Sequence, residues 1–380
     1  MQFTKYFIVL NPKSNILFLS LYTFSLTGGV EKVCKNFIYT LRKLFGESDW
    51  ANYSMHDRLA DLDTNYSAIA NYKAFAGKKL SYMLASLKQG LNSKTVILSH
   101  INLLLVAKLI SVFKPHTKFI LFAHGIEVWG NLAKWKTSFI RKNVEVWAVS
   151  NYTKQRMIEQ HQLSSSQINV LNNCLSPFLN LPTAFTKPKY LLEKYGLAEN
   201  HPVLFTLNRL AALEQYKGYD VVITALADLK KEGYNFTYLL AGKADAEEQL
   251  RIEQLIEANG LNANVKLIGY LAEEELAAYF LLADVFVMPS KGEGFGIVFI
   301  EAAAHGCKII GGNRDGSTDA LLNGQLGILV NPTDVNEIGT SLLALMQNKA
   351  TSEQKIAQQQ LSIENFGFEQ YVARVERLLN

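Results

Sequence analysis

Short apolar runs rich in Ile, Val, Leu and Phe alternate along this chain with longer stretches whose apolar positions recur every three or four residues. NILFLSL (15–21), TVILSH (95–100), KFILFAH (118–124) and VEVWAVS (144–150) are runs of the first kind. Near-continuous apolar strands separated by helical segments predict parallel strands covered on both faces, which is a doubly wound α/β sheet. A proline-containing stretch, Ser176 to Tyr190, follows, and then the alternation begins again with PVLFTLN, FTYLLAG, NVKLIG, DVFVMPS, CKIIGG and LGILV. Between the second set of strands, Asp220 to Lys231 places Val222, Ile223, Leu226 and Leu229 on one helix face. From about Ser352 onward the pattern is helical.

At 380 residues the chain is longer than one core usually organises, since domains run to roughly 100 to 200 residues. The expected fold class is therefore α/β, with two doubly wound Rossmann-like domains facing a central cleft. The expected division is 1–183, 184–360, and a C-terminal helix over 361–380 that crosses back to the first domain. Ligand loops belong at the carboxyl ends of such strands.

Ile16 to Leu26 is too short to span a bilayer and no small-residue cleavage site follows it, so it predicts a buried strand. Ile101 to Phe113, interrupted by Lys108, predicts a core helix. No transmembrane segment is expected. Three scattered cysteines, Cys34, Cys174 and Cys307, suit neither a disulfide framework nor a zinc site and point to a reducing cytoplasm. The net charge of +4 hides an asymmetry: residues 1–180 hold 21 Lys and Arg against 9 Asp and Glu, the remainder 17 against 25. The halves thus carry +12 and −8, which suggests an anionic partner for the first.

Chemistry concentrates in SKGEGFGIVFIEAAAHG (290–306), a strand, glycine loop and helix in succession. Gly294 and Gly296 let backbone approach a ligand, and the amides of Phe295, Gly296, Ile297 and Val298 at a helix N-terminus favour a phosphate. Glu293 precedes that helix and Glu301 lies five residues inside it, about 7.5 Å along the axis. Carboxylates that repel phosphate but accept hydroxyl hydrogen bonds suit a sugar at one end of a diphosphate and a ribose at the other.

These residues resemble the Glu-x7-Glu signature of the group 1 (family 4) retaining glycosyltransferases of the GT-B fold. The resemblance implies that Glu293 contacts hydroxyls of the transferred sugar and that Glu301 holds the ribose. It also implies a diphosphate grip by Arg209 and Lys217, found in LNRLAALEQYKGYD, where two cations would stabilise the charge left on the departing nucleotide. That would make a divalent metal unnecessary. The Asp-x-Asp pair Asp61 and Asp63 sits in a polar stretch and is read as a solvated loop. By the same likeness, Gly28 and Gly29 in LTGGVEKV form a loop beside the donor phosphates. They would equally suit a tight turn of positive φ. His124, with Gly125 at the end of FAHGIEVW, falls close to the transferred sugar, while AVSNYTK (148–154) and VLNNCLSPF (170–178) line the cleft. Gly269 and Tyr270 lie where the family reads the base, and AGKADAE (241–247) departs from the family's Gly-x-Gly form at Lys243 and Ala244.

The expected activity is transfer of a hexose-type sugar from a UDP- or GDP-sugar to a glycan or lipid-linked acceptor, with retention of configuration. The catalytic set is Glu293, His124, Arg209 and Lys217, with no metal and no cofactor beyond the nucleotide-sugar. A GT-B nucleotide-sugar epimerase is the alternative, and a non-enzymatic nucleotide-sugar binder a third reading. No nucleic-acid module is recognisable. Surface polysaccharide assembly in the cytoplasm is the expected setting. Phe75, Leu80, Met83, Leu84 and Leu87, ringed by Lys73, Lys78, Lys79 and Lys88, together with AKWKTSFIRK (133–142), suit either anionic membrane or an ordinary core-facing helix with a solvated lysine side.

Overall fold

The computed structural model describes residues 15–380. The described residues divide into two compact units, one running to Leu171 and including Tyr371–Asn380, the other Asn172–Gln370.

In the first unit, β1 (Ile16–Ser20), β2 (Trp50–Ser54), β3 (Tyr72–Ala74), β4 (Thr95–Leu98), β5 (Lys118–Ala123), β6 (Val144–Ala148) and β7 (Ile168–Val170) form one sheet. Its order is β3-β2-β1-β4-β5-β6-β7, with every pairing parallel. Leu17, Leu19, Val96, Leu98, Leu121 and Val146 are buried in its core. Side chains of opposite pleat are buried too, among them Phe18, Ile97, Phe122 and Trp147, because helices cover both faces.

The second unit holds β8 (Val203–Leu207), β9 (Thr237–Ala241), β10 (Val265–Gly269), β11 (Val285–Met288), β12 (Lys308–Gly312) and β13 (Ile328–Val330). Their order is β10-β9-β8-β11-β12-β13, again parallel throughout. The helix Tyr219–Lys231 buries Val222, Ile223, Leu226 and Leu229 as its periodicity requires. In both sheets the strand order reverses beside the first strand, which is the topological switch point where loops part. Both units therefore have the doubly wound Rossmann-like architecture.

Several expectations need correction. β2 (WANYS) and β3 (YKA) are strands that carry too little aliphatic character to stand out, and β7 occupies part of a predicted loop. The apolar run that begins at Ile16 is strand only to Ser20. Within 72–92, Phe75 belongs to the core, whereas the helix Lys79–Gly90 buries Tyr82, Ser86 and Gln89 and leaves Leu80 and Leu84 outside. The helix Leu104–Phe113 is core on one side only, with Leu105, Val112 and Phe113 exposed.

Candidate active site

The loops that leave β8, β11 and β12 meet at the carboxyl ends of the second sheet. After β8 the chain turns through Arg209 into a 3-10 segment, Ala212–Lys217. After β11 it runs through Ser290–Gly296 into the helix Ile297–Ala304. Two glycines bring these loops into contact. A Cβ at Gly218 would lie 2.4 Å from the Pro289 carbonyl oxygen, and one at Gly292 would lie 2.5 Å from the Tyr216 ring. The Lys291 amide completes the seam by donating to the Tyr216 carbonyl at 3.0 Å.

That contact pairs Lys217 with Glu293. Burial works against the Lys217 ammonium, but the Glu293 carboxylate beside it, with Tyr216 and Glu214, carries its pKa above the ordinary lysine value. The Nζ also sits 5.2 Å from the centre of the Tyr216 ring. Arg209 is more open, and its guanidinium reaches Glu214 at 3.0 Å. Glu301 is buried one turn into the helix. Of the helix-start residues, Phe295 packs its ring edge-on against Phe366 at 5.4 Å and Ile297 is buried. These two can meet a ligand only through backbone, which is the role a phosphate site asks of them. Gly296 has φ +85, a conformation that favours glycine.

Gly269 and Tyr270 border a pocket of about 360 Å³, with Leu210, Lys243, Ala244 and Gln249 among its other walls. Ala244, where the family has glycine, bridges Leu210 in parallel fashion, so the loop after β9 is anchored to the loop carrying Arg209.

In the first unit, Gly28 and Gly29 open the helix Gly29–Phe45. Gly28 is extended (φ −174), and a Cβ on Gly29 would meet nothing within 4 Å. A positive-φ turn therefore does not account for them. They leave the helix start bare. His124 donates Nε2–H to the Ser99 carbonyl at 2.7 Å, its amide donates to Glu127 at 2.6 Å, and its ring is half-buried. In the neutral ring this bond makes Nδ1 the acceptor.

Sequence reasoning passed over the carboxylates that build these loops. Asp57 gathers the amides of Thr23, Phe24 and Ser25, Glu248 gathers Tyr219, Gln215 and Arg251, and Asp315 takes the Glu293 amide. Each stands alone in an unremarkable polar context, so only long-range pairing reveals it. Asp61 and Asp63 instead cap their own turn, on the Arg58 and Asn65 amides. Among the described residues no group of three or more His, Cys, Asp or Glu is placed to hold a metal ion.

Residues 189–361, which carry the whole Arg209, Lys217, Glu293 and Glu301 set, match the family model for glycosyl transferases group 1. Over this stretch the chain is similar to the group 1 glycosyl transferases. The chain is 28% identical over 276 residues to the GDP-mannose-dependent alpha-(1-6)-phosphatidylinositol monomannoside mannosyltransferase of Mycolicibacterium smegmatis, covering 69% of this chain and 70% of that protein. It is 26% identical to the alpha-D-kanosaminyltransferase of Streptomyces kanamyceticus, over 58% of this chain and 56% of that one. In fold it is similar to a glycosyltransferase from Rickettsia africae (TM-score 0.77, 18% identity, 96% of this chain and 97% of that chain). It is also similar to Anabaena HepE in complex with UDP-glucose (TM-score 0.75, 18% identity, 96% and 98%).

Proposed function

We propose that this protein is a group 1 glycosyltransferase that moves a hexose-type sugar from a UDP- or GDP-sugar to a glycan or lipid-linked acceptor in surface polysaccharide assembly. Transfer proceeds with retention and uses neither metal nor further cofactor. The observation that carries this reading is the pairing of Lys217 with Glu293 at the start of the helix Ile297–Ala304. One phosphate-seeking cation and one hydroxyl-seeking carboxylate thus share a point beside a helix N-terminus. The names of relatives support it, since one uses GDP-mannose and a structural neighbour was solved with UDP-glucose.

In this scheme the bond between the anomeric carbon and the phosphate oxygen breaks, and the diphosphate leaves with added negative charge. Arg209 and Lys217 stabilise that charge, the acceptor oxygen bonds to the anomeric carbon on the same face, and its proton passes to the departing phosphate oxygen. Glu293 orients the sugar through its hydroxyls, Glu301 holds the ribose, and the pocket beside Gly269 and Tyr270 takes the base. Incubation with UDP-glucose or GDP-mannose and an acceptor panel, with the product read by NMR, tests the reaction. An α-linked product from the α-linked donor is expected, and a β-linked one would overturn retention.

A contact with anionic membrane is favoured by a separate observation. Thr64 to Ile126 contains eight lysines and neither Asp nor Glu. Within it Leu80, Leu84, Val112 and Phe113 are 66%, 59%, 69% and 73% exposed on two neighbouring helices. Apolar groups among lysines suit an interfacial surface. No helix among the described residues is long and apolar enough to cross a membrane. The proposed contact is peripheral, at the inner face of the membrane. Co-sedimentation with anionic vesicles at low salt is expected, and the protein staying in the supernatant would end this reading.

A further inference from the structure

Glu293 owes its place to its backbone, and that backbone is held from the loop after β12. Its amide donates to Asp315 Oδ2 at 2.6 Å, and its carbonyl accepts from the Gly316 amide at 2.8 Å. Two adjacent residues thus satisfy both main-chain polar groups of Glu293. The other Asp315 oxygen accepts from the Ser317 amide at 2.9 Å, which ties the clamp to its own helix start. Asp315 is fully buried. Contact between the loops is close enough to exclude side chains. A Cβ on Gly316 would lie 2.0 Å from the Gly294 carbonyl oxygen, and one on Gly312 would lie 1.8 Å from that of Ser290.

A carboxylate buried against backbone amides is a costly way to close a turn, because a neutral side chain could accept the Ser317 amide alone. What the charge adds is a second, short, charge-assisted bond to the residue whose side chain pairs with Lys217. We infer that Asp315 is a positioning residue: with Gly316 it clamps the main chain of Glu293 and so aims the carboxylate that meets the transferred sugar. This rests on the proposed role of Glu293. Asn at 315 keeps the shape but can accept only through its one carbonyl oxygen, and its amino group would face an N–H on the other side. Either the Glu293 or the Ser317 bond is then lost.

The test compares the wild type with Asp315→Asn, and with Gly316→Ala as an independent way of parting the loops. Binding of UDP, GDP, UDP-glucose and GDP-mannose is measured by calorimetry, and turnover with the donor that binds. Misplacing a catalytic group by about 1 Å can cost on the order of 10²-fold in rate. Turnover should therefore fall roughly tenfold or more in both variants. Affinity for the bare diphosphate should stay within about threefold, while the extra affinity contributed by the sugar disappears. Equal losses for diphosphate and diphosphate-sugar would show a merely structural part for Asp315 and overturn the inference. Unchanged turnover in both variants would overturn it too. A wild type that binds none of the four would remove the reading of the site and this inference with it.

Discussion

Asp57 offers the sharpest test of how the first unit builds its loop after β1. The side chain is fully buried, yet it accepts from the amides of Thr23 at 2.9 Å, Phe24 at 3.0 Å and Ser25 at 3.3 Å. The Ser25 hydroxyl at 2.5 Å and the Tyr72 hydroxyl at 2.7 Å complete the set. Burial pushes its carboxyl up, but the donors, led by Ser25 and Tyr72, outweigh it and hold the pKa below the usual carboxylate value. Replacing Asp57 with alanine strands five donors. Those of Phe24 and Ser25 lie where water can reach, whereas Thr23 and Tyr72 are buried. Two unsatisfied buried donors at about 1–3 kcal/mol each give a loss of roughly 4 kcal/mol. In a unit of this size that lowers Tm by about 8–16 °C. The variant should also lose part of the acid sensitivity. A lowered pKa contributes stability above the unfolded value, and this is lost as pH falls through the folded one. Circular dichroism melts at pH 7 and at about pH 2.5, below the ordinary carboxylate value, read both effects. A Tm within about 2 °C of wild type at pH 7 would refute the account of this loop.

Other carboxylates behave differently. Asp315 is pushed up to about 6, first by burial and also by the neighbouring Glu293 charge, against the pull of the Ser317 and Glu293 amides. A raised acid contributes stability below its unfolded value near 3.8, and this is lost as pH climbs through 6. The unfolding free energy of wild type relative to Asp315→Asn should therefore drop by about 3 kcal/mol between pH 3.5 and 7 in urea titrations. A flat difference would contradict it. Glu248 is buried with Tyr219, Gln215 and Arg251 around it, and burial is outweighed by Arg251, so its pKa lies below normal. Glu248→Gln should cost about 1–3 kcal/mol. It should also speed amide exchange over 210–218, since Gln215 is tethered to this carboxylate at 3.1 Å. Exchange confined to the helix Ala246–Ala258 would show that the tether carries nothing.

Much of this was legible in the chain. The aliphatic strands stood out because parallel strands buried on both faces must be apolar throughout, and Val222, Ile223, Leu226 and Leu229 are buried as their spacing demanded. WANYS and YKA escaped for the opposite reason, being a polar-aromatic strand and a three-residue sheet edge. Glu293 could be named from its place before the glycine-loop helix and Lys217 from the family resemblance, and the structure pairs them. Leu80 and Leu84 could not be placed by periodicity, since Tyr82, Ser86 and Gln89 on another side of the same helix turn inward. Asp57, Glu248 and Asp315 were invisible because what marks them is a set of donors brought in by the fold from other strands' loops.

In the proposed function, the carboxyl ends of the second sheet bind a nucleoside diphosphate through Arg209, Lys217, Glu293 and Glu301. Thermal stabilisation by UDP, GDP, ADP and CMP, on wild type, Glu301→Ala and Arg209→Ala, tests it most directly, because a ligand that binds only the native state must raise its stability. A ligand at 100 times its Kd adds about 2.7 kcal/mol. One diphosphate should raise the Tm of wild type by several degrees, and both substitutions should reduce the rise. No shift with any nucleotide, or equal shifts in all three proteins, would contradict it.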